Sequence, residues 1–465
     1  MRNSIAAPSF QTVDPASGKT LERYEVHTDR EIDHRLAQAQ STFHLWSQST
    51  IEERTTLLRR VADHLRANLT HIAAIATREM GKPIIEAEAE VLKCATVCEY
   101  YVQHGPKFLA VEGVETSATR SYVAYRPLGV ILAVMPWNFP FWQVFRFAIP
   151  ALVAGNVAVL KHAANVTECG LEIERIFASC GAPKGVFTTL IVPGREMEAI
   201  VADPRIAAVT LTGSESAGSS VASIAGKHLK KTVLELGGSD AFIVLADADL
   251  DSAARIAVRS RFQNCGQSCI AAKRFIVEAS VHNAFLEAFT RYIRELRIGD
   301  PMDRTTTLGP LAKAEFRDDI ERQVRLSIKS GARLVSGGTR IARAGFFFAP
   351  TILAEVREET PAFREETFGP VAAIIRARDA EHAVSLANSS RYGLGGNLWT
   401  RDVARGERIA ARLESGAVFI NGMTVSDPHL PFGGVKSSGY GRELSSFGLR
   451  EFVNIQSVWI GPPRK

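Results

Sequence analysis

Cys269 stands in the run Phe262-Gln-Asn-Cys-Gly-Gln-Ser-Cys269-Ile-Ala271, where a Gly-Gln turn presents a thiol just ahead of an apolar stretch. A nucleophilic cysteine needs a thiolate, access to its substrate and backbone donors for an oxyanion, and a glycine-containing turn can present all three. The competing reading is a buried, inert cysteine. Upstream, Glu235 closes the apolar run Thr232-Val-Leu-Glu235 ahead of Leu236-Gly-Gly238. A carboxyl in apolar surroundings has a raised pKa, which suits a general base working near neutral pH. Farther upstream, Met135-Pro-Trp-Asn138-Phe-Pro-Phe-Trp142 holds an asparagine in a rigid aromatic and proline-rich surround, where its amide can donate to a developing oxyanion. Each motif alone is weak evidence, and it is their company that turns Cys269 into a candidate nucleophile.

A fourth element, Thr212-Gly213-Ser214-Glu-Ser-Ala-Gly218, follows an apolar run and opens a helical stretch, so its backbone donors and helix dipole would face a pyrophosphate. It lacks the Lys-Ser/Thr pair of a P-loop, since Ser219 and Ser220 follow the second glycine, and this argues against phosphoryl transfer. Two cysteine pairs share a four-residue spacing, Cys94 with Cys98 and Cys265 with Cys269, but no histidine stands at ligand spacing, so no metal is expected. Cys265 is either a small apolar filler or the partner of Cys269 in a reversible disulfide.

The elements that must position these groups follow from periodicity. Glu31 to Phe43 and Ile51 to Met80 show helical spacing, with Thr50 placed as a cap. From Tyr122 onward short β-branched runs (130–134, 157–160, 206–211, 232–236, 241–245) alternate with helix-like stretches of crossover length, which predicts a parallel sheet with helices on both faces and a dinucleotide at the strands' carboxyl ends. A second alternating block, residues 274–422, implies another α/β lobe. Residues 110–125 and 452–460 are strand-like and outside both rhythms; they could pair with each other or with another subunit.

The bulk properties set the frame. With 465 residues, 46% hydrophobic and 23% charged, the chain reads as globular with two main lobes. A formal charge of +5, with both signs interleaved, gives little support for nucleic-acid binding. No segment has the apolar length of a signal peptide or a membrane span, and six cysteines are too sparse for a disulfide framework, so a cytoplasmic protein is expected.

Taken in order, Pro136–Pro140, Thr212–Ser214, Glu235–Gly238, Gly266–Ala271, Glu365–Val371 and Pro431–Glu443 resemble the PWNFP, TGS, ELGG, GQxCxA, EExFGPV and PFGGxKxSGxGRE elements of the aldehyde dehydrogenase superfamily. The resemblance spans nearly the whole chain. It implies an α/β fold with a Rossmann-like NAD(P)-binding domain (1–108 and 128–237), a catalytic domain (238–437) and a small β oligomerisation element (109–127 and 451–465) serving a homodimer or homotetramer. It implies that the Cys269 thiolate attacks an aldehyde, that the Asn138 amide and the Cys269 N–H hold the oxyanion, and that Glu235 activates the water that hydrolyses a thioester. The cofactor would lie against Trp137, Gly213, Ser214 and Leu236, with Glu366 on the nicotinamide ribose, Phe368 against the ring and Lys161 on the adenosine ribose. Many NAD+-specific relatives carry a glutamate three residues after that lysine; here Ala164 stands there, with His162 nearby, which favours NADP over NAD.

Within the superfamily the chain resembles the bacterial NAD(P)+-dependent succinate-semialdehyde dehydrogenases. Arg146, about two helical turns beyond Asn138, is the expected clamp for a substrate carboxylate, against the alternative of a structural salt bridge. Some members have an arginine six residues before the nucleophile, where this chain has Gln263, with Arg261 close by. Ser426, Asp427 and His429 are candidates for the tunnel mouth. The rivals are a broad-specificity dehydrogenase for uncharged aldehydes and a non-catalytic scaffold, the latter opposed by the intact Asn138, Glu235 and Cys269.

Overall fold

The computed structural model describes residues 8–461; residues 1–7 of the expected cofactor domain and 462–465 of the expected oligomerisation element lie outside the described residues. A six-stranded sheet has the order Gly439–Tyr440, Lys231–Glu235, Ile206–Thr212, Val130–Met135, Val157–His162, Phe187–Leu190. All neighbours are parallel except Gly439–Tyr440, which pairs antiparallel with Lys231–Glu235. Val157 to Leu160 is buried without interruption, the continuous apolar run of a strand covered on both faces. From Val130–Met135 the chain builds to one edge and then returns to fill the other, leaving a switch point at the carboxyl ends of the central strands. Met135, His162, Thr212 and Glu235 all end their strands there.

A seven-stranded sheet follows in the order Arg333–Ser336, Thr351–Ala354, Val371–Ala377, Ala272–Glu278, Asp240–Val244, Gly395–Trp399, Ala417–Ile420. Only Arg333–Ser336 is antiparallel to its neighbour. The segments just ahead of Asp240, Ala272 and Val371 carry Gly238, Cys269 and Phe368, so the amino ends of this sheet meet the carboxyl ends of the first. The two strand-like segments outside both rhythms pair with each other: Arg120–Pro127 runs antiparallel to Val453–Ile460, with Glu112–Gly113 on its other side.

Helices Asp29–Trp46 and Ile51–Ala67 each start with a capping box, Thr28 with Glu31 and Thr50 with Glu53, and such a cap contributes about 1 kcal/mol. The stretch expected as one helix from Ile51 to Met80 is two, because the chain leaves helical geometry at Asn68 (φ −109°, ψ 20°) before Leu69–Met80. The longest helix, Ile84–Phe108, is absent from the expectation. It begins at Pro83 without a side-chain cap, directly after Gly81 in left-handed geometry, so its start reads locally as a stop. Its Glu90 accepts from the N–H groups of Phe141 (2.8 Å) and Trp142 (2.9 Å) at the start of helix Trp142–Val153 and is ion-paired with buried Lys82. That helix starts only at Trp142, leaving Asn138 to Phe141 as a turn.

Candidate active site

Between helix Leu250–Phe262 and strand Ala272–Glu278 the backbone takes three consecutive left-handed residues, Asn264 (φ 52°), Cys265 (φ 54°) and Gly266 (φ 74°). A non-glycine residue there costs of order 1 kcal/mol, so the turn persists only because its surroundings fix it. Glu86 accepts from the Asn264 N–H (2.8 Å), and the Asn264 amide donates to the Asn138 carbonyl (2.7 Å). Arg261, fully buried, donates to the carbonyls of Gly266, Gly369 and Ala272, which makes it a clasp for this turn and not a tunnel residue. A Cβ on Gly266 would stand 2.3 Å from the Gly369 carbonyl oxygen.

Of the six cysteines only Cys269 is partly accessible; the other five are buried and all six are free. Burial pushes the Cys269 thiol up to about 12, opposed by the positive charges of Arg146 and Lys273. Lys273 donates to the carbonyls of Ser268 (2.9 Å) and Cys269 (2.8 Å) and lies 3.5 Å from Glu366. Cys265 is fully buried and desolvation raises its thiol strongly, which favours the apolar-filler reading over the redox partner.

Asn138 is buried, and its Nδ2 donates to the Gln267 carbonyl (3.0 Å) while its Oδ1 accepts from Gln143 Nε2 (3.1 Å). That pair of bonds fixes the amide orientation and leaves one N–H of Asn138 for an oxyanion. Glu235 is buried, and neither carboxyl oxygen has a hydrogen-bond partner among the described residues. Desolvation, then the charge of Glu443, raises its pKa well above the carboxylate range. Glu443 in turn contacts Arg146 Nε, and Arg146 packs 4.4 Å from the Phe432 ring centre. The guanidinium expected as a free clamp therefore already has a buried carboxylate partner.

One cleft of about 220 Å³ brings together Trp137, Asn138, Gly213, Ser214, Leu236, Cys269, Glu366 and Phe368. Ser214 caps helix Glu215–Lys227 by accepting from the Ala217 N–H, and the dipole of this helix start favours an anion in the cleft. Trp137 stacks on Phe316 (4.6 Å) and meets Phe368 edge-on (5.8 Å). Glu366 accepts from the Gly238 N–H (2.9 Å). A donor-rich helix start, aromatic walls and a fixed carboxylate together fit a nicotinamide dinucleotide. Lys161 is the last residue but one of the strand Val157–His162 and is not among the residues lining this cleft, with Ala164 opening the short helical turn that follows. Burial, then the positive charge of Lys313, lowers the Lys161 pKa. His162 is buried against the carbonyls of Met135 (3.2 Å) and Pro140 (2.9 Å), a structural role.

A second cavity of about 500 Å³ also reaches Cys269; Arg146, Gln263 and Ser426 line it, with Phe139, Trp142 and Phe432 as aromatic walls. Asp427 and His429 hydrogen-bond each other instead and are not among its lining residues. Four residues escaped the sequence reading: Gln143, Lys273, Lys313 and Lys93. Gln143 follows Asn138 within one motif and Lys273 follows Cys269, so proximity was a signal for both. Lys93 and Lys313 carry none, because only the fold brings Lys93 to the second cavity and Lys313 near Lys161.

Residues 3–458 match the model of the aldehyde dehydrogenase family. The chain is similar to a probable succinate-semialdehyde dehydrogenase [NADP(+)] of Synechocystis, 50% identical over 97% of this chain and 100% of that protein. It is also similar to succinate-semialdehyde dehydrogenase [NADP(+)] 1 of Mycobacterium tuberculosis, 49% identical over 97% and 99%. Among solved structures, succinic semialdehyde dehydrogenase from Streptococcus pyogenes in complex with NADP+ superposes with a TM-score of 0.95 at 40% identity, covering 97% of this chain and all of that one. With its two open sheets meeting end to end at Cys269, this chain belongs to the aldehyde dehydrogenase family.

Proposed function

We propose that this enzyme oxidises succinate semialdehyde to succinate with NADP+. The observation that carries the substrate reading is the charge on the cavity at Cys269. Lys93, Arg255 and Arg259, with Arg146 partly offset by Glu443, line it against Glu86, Glu90 and Glu295, and two of those acids are spoken for: Glu90 is paired with Lys82, and burial pushes Glu86 up to about 7. A small anionic aldehyde suits such a site. The names of the relatives at about half identity support the same substrate and cofactor. For NADP+, Ala164 presents no carboxylate to repel a 2′-phosphate, and Lys161 and Lys313 put two ammonium groups in one neighbourhood.

The reaction begins with a neutral thiol at Cys269, so a proton must leave before the sulfur attacks the aldehyde carbon. Asn138 Nδ2 and the Cys269 N–H stabilise the resulting oxyanion. NADP+, when bound, supplies the acceptor for the hydride that the thiohemiacetal carbon gives up. Glu235, ionised, then takes a proton from water, which adds to the thioester; the C–S bond breaks, the carboxylic acid leaves and the thiol is restored. In the geometry described burial and the neighbouring Glu443 favour the protonated form of Glu235, so it gains strength as a base once water or a rotation raises its solvation.

Oligomerisation fits the three-stranded sheet, whose edge strand Val453–Ile460 exposes Ile455, Trp459 and Ile460. A homodimer or homotetramer through this edge is part of the proposal, with light scattering of a Trp459→Glu variant as its check. A cytosolic setting agrees with six free thiols and with the absence, among the described residues, of any helix long and apolar enough to cross a membrane.

A second reading, a dehydrogenase for uncharged aldehydes, draws on the Arg146–Glu443 pair and the aromatic walls. Initial rates of NAD(P)H formation with succinate semialdehyde, butanal and benzaldehyde, each with NADP+ and NAD+, decide between them. We expect kcat/KM for succinate semialdehyde at least about 100-fold above butanal, roughly 2.7 kcal/mol of discrimination. Comparable values for all three aldehydes would leave the Cys269 chemistry standing and remove the substrate assignment.

A further inference from the structure

Glu443 takes up the Nε of Arg146 and part of its charge, so a second cation on the same cavity matters for taking a carboxylate. Lys93, on helix Ile84–Phe108, is partly buried and lines the same cavity as Cys269. Its Nζ donates to Ser426 Oγ (2.6 Å) and sits 4.1 Å from the Trp142 ring centre; the Trp142 indole N–H donates to the same Ser426 Oγ (2.9 Å). Among the described residues no carboxylate lies within salt-bridge distance of Lys93, while Arg146 and Lys82, the other two deeply buried cations near it, are each paired with a glutamate. An ammonium has three donors. One is used on Ser426, and the others have no acceptor among the described residues.

We propose that Lys93 is a specificity-determining residue of this enzyme, its ammonium receiving the distal carboxylate of the substrate while Ser426 and Trp142 hold its stem and head in place. The inference rests on the reading that the substrate is a semialdehyde with a carboxylate at its far end. Three features support it. The site is desolvated enough to make an ion pair worth more than at the surface. The aromatic face of Trp142 confines the ammonium without neutralising it. Arg146, which lines the same cavity, adds positive potential: its Nε faces Glu443 and one Nη2 N–H reaches Thr212, while its other N–H groups remain for a second contact with the substrate carboxylate. Burial, and next the Arg146 charge, pull Lys93 down to about 8; Cys94 and Glu90 on its own helix and Asp427 from the facing loop act in the opposite direction. The cation is therefore present at neutral pH and fades under mildly alkaline conditions, and a bound carboxylate would hold it on.

The test compares succinate semialdehyde with butanal, a chain of equal length without the carboxylate, in wild type, Lys93→Met and Lys93→Arg, all as full-length enzyme with NADP+. In Lys93→Met the ratio of kcat/KM values, succinate semialdehyde over butanal, should fall about 10- to 100-fold, chiefly through KM, the range expected when one charged hydrogen bond is lost. Lys93→Arg should restore much of the ratio. In wild type the ratio should decline above pH about 8 as the amine loses its proton, and in Lys93→Arg it should not. An unchanged ratio in Lys93→Met, or equal losses on both aldehydes in both variants, overturns the proposal, the latter by showing that Lys93 only supports Trp142 and Ser426. Absence of any preference for succinate semialdehyde in wild type overturns the substrate reading and this inference with it, and is recognised because no variant is needed to see it.

Discussion

The two cavities that meet at Cys269 are built from different materials. The cofactor side is made at strand ends and one helix start: Gly213, Ser214, Leu236 and Gly237 bring backbone to its wall, and Trp137 and Phe368 offer ring faces. The substrate side is made of side chains reaching in from four distant stretches: Lys93 from one helix, Arg146 from another, Gln263 from the catalytic loop and Ser426 from the loop before Pro431. A wall of backbone is fixed by the sheet, whereas a wall of long side chains is tuned by each partner those chains find. This is why changes on one side should alter which aldehyde is oxidised, and changes at the junction should alter whether anything is oxidised.

The junction gives the largest expected effects. Cys269→Ala should remove dehydrogenase turnover by at least about 10⁴-fold, as loss of a nucleophile does, yet leave NADP+ binding measurable by quenching of Trp fluorescence; loss of cofactor binding as well would mean that the two sides are not separable. Glu235→Gln should lower steady-state kcat by about 10²- to 10⁴-fold while a stopped-flow burst of NADPH, close to one per active site, survives as thioester accumulates. A missing burst would place Glu235 before hydride transfer instead of after it. Asn138→Ala should cost about 10²- to 10³-fold in kcat, with no selective effect on KM for either aldehyde.

Two smaller effects sharpen the contrast. With the Cys269 thiol pushed up to about 12, the thiolate fraction rises about tenfold per pH unit across neutrality, so inactivation by iodoacetamide should climb at that slope from pH 7 to 9. A plateau near pH 7 would mean that the neighbouring positive charges outweigh burial. On the cofactor side, Lys161→Ala should raise KM for NADP+ about tenfold, the worth of one charge-assisted hydrogen bond, and change KM for NAD+ less. Equal changes would assign Lys161 to the ribose alone.

How much of this was legible in sequence follows the same division. The family and the cofactor cleft were readable because Pro136–Pro140, Thr212–Ser214 and Glu235–Gly238 are contiguous runs, each at the end of one strand. Cys269 was readable as a candidate nucleophile because its Gly-Gln turn stands in company with the Asn138 and Glu235 motifs; what the structure adds is that a Cβ on Gly266 would strike Gly369. The substrate wall was legible only in part: Arg146 and Ser426 were named and line the cavity, but the partner of Arg146 is Glu443, almost three hundred residues away, and Lys93 lies on a helix whose start carries only stop signals. His162 stayed open for the opposite reason: next to Lys161 in sequence, it turns inward to two carbonyls that spacing does not reveal. The break at Asn68 was hidden because the apolar pattern continues through it.

The antiparallel pair of Gly439–Tyr440 with Lys231–Glu235 has a consequence for how the enzyme is made. The strand that ends in Glu235 is an edge until a segment about two hundred residues later in the chain arrives to cover it, and Arg120–Pro127 waits longer still for Val453–Ile460. During synthesis the cofactor sheet therefore emerges from the ribosome well before its last strand exists. The nascent chain spends that interval with an unpaired backbone ladder next to the future active site, the kind of surface that chaperones cover and that recruits neighbours into aggregates.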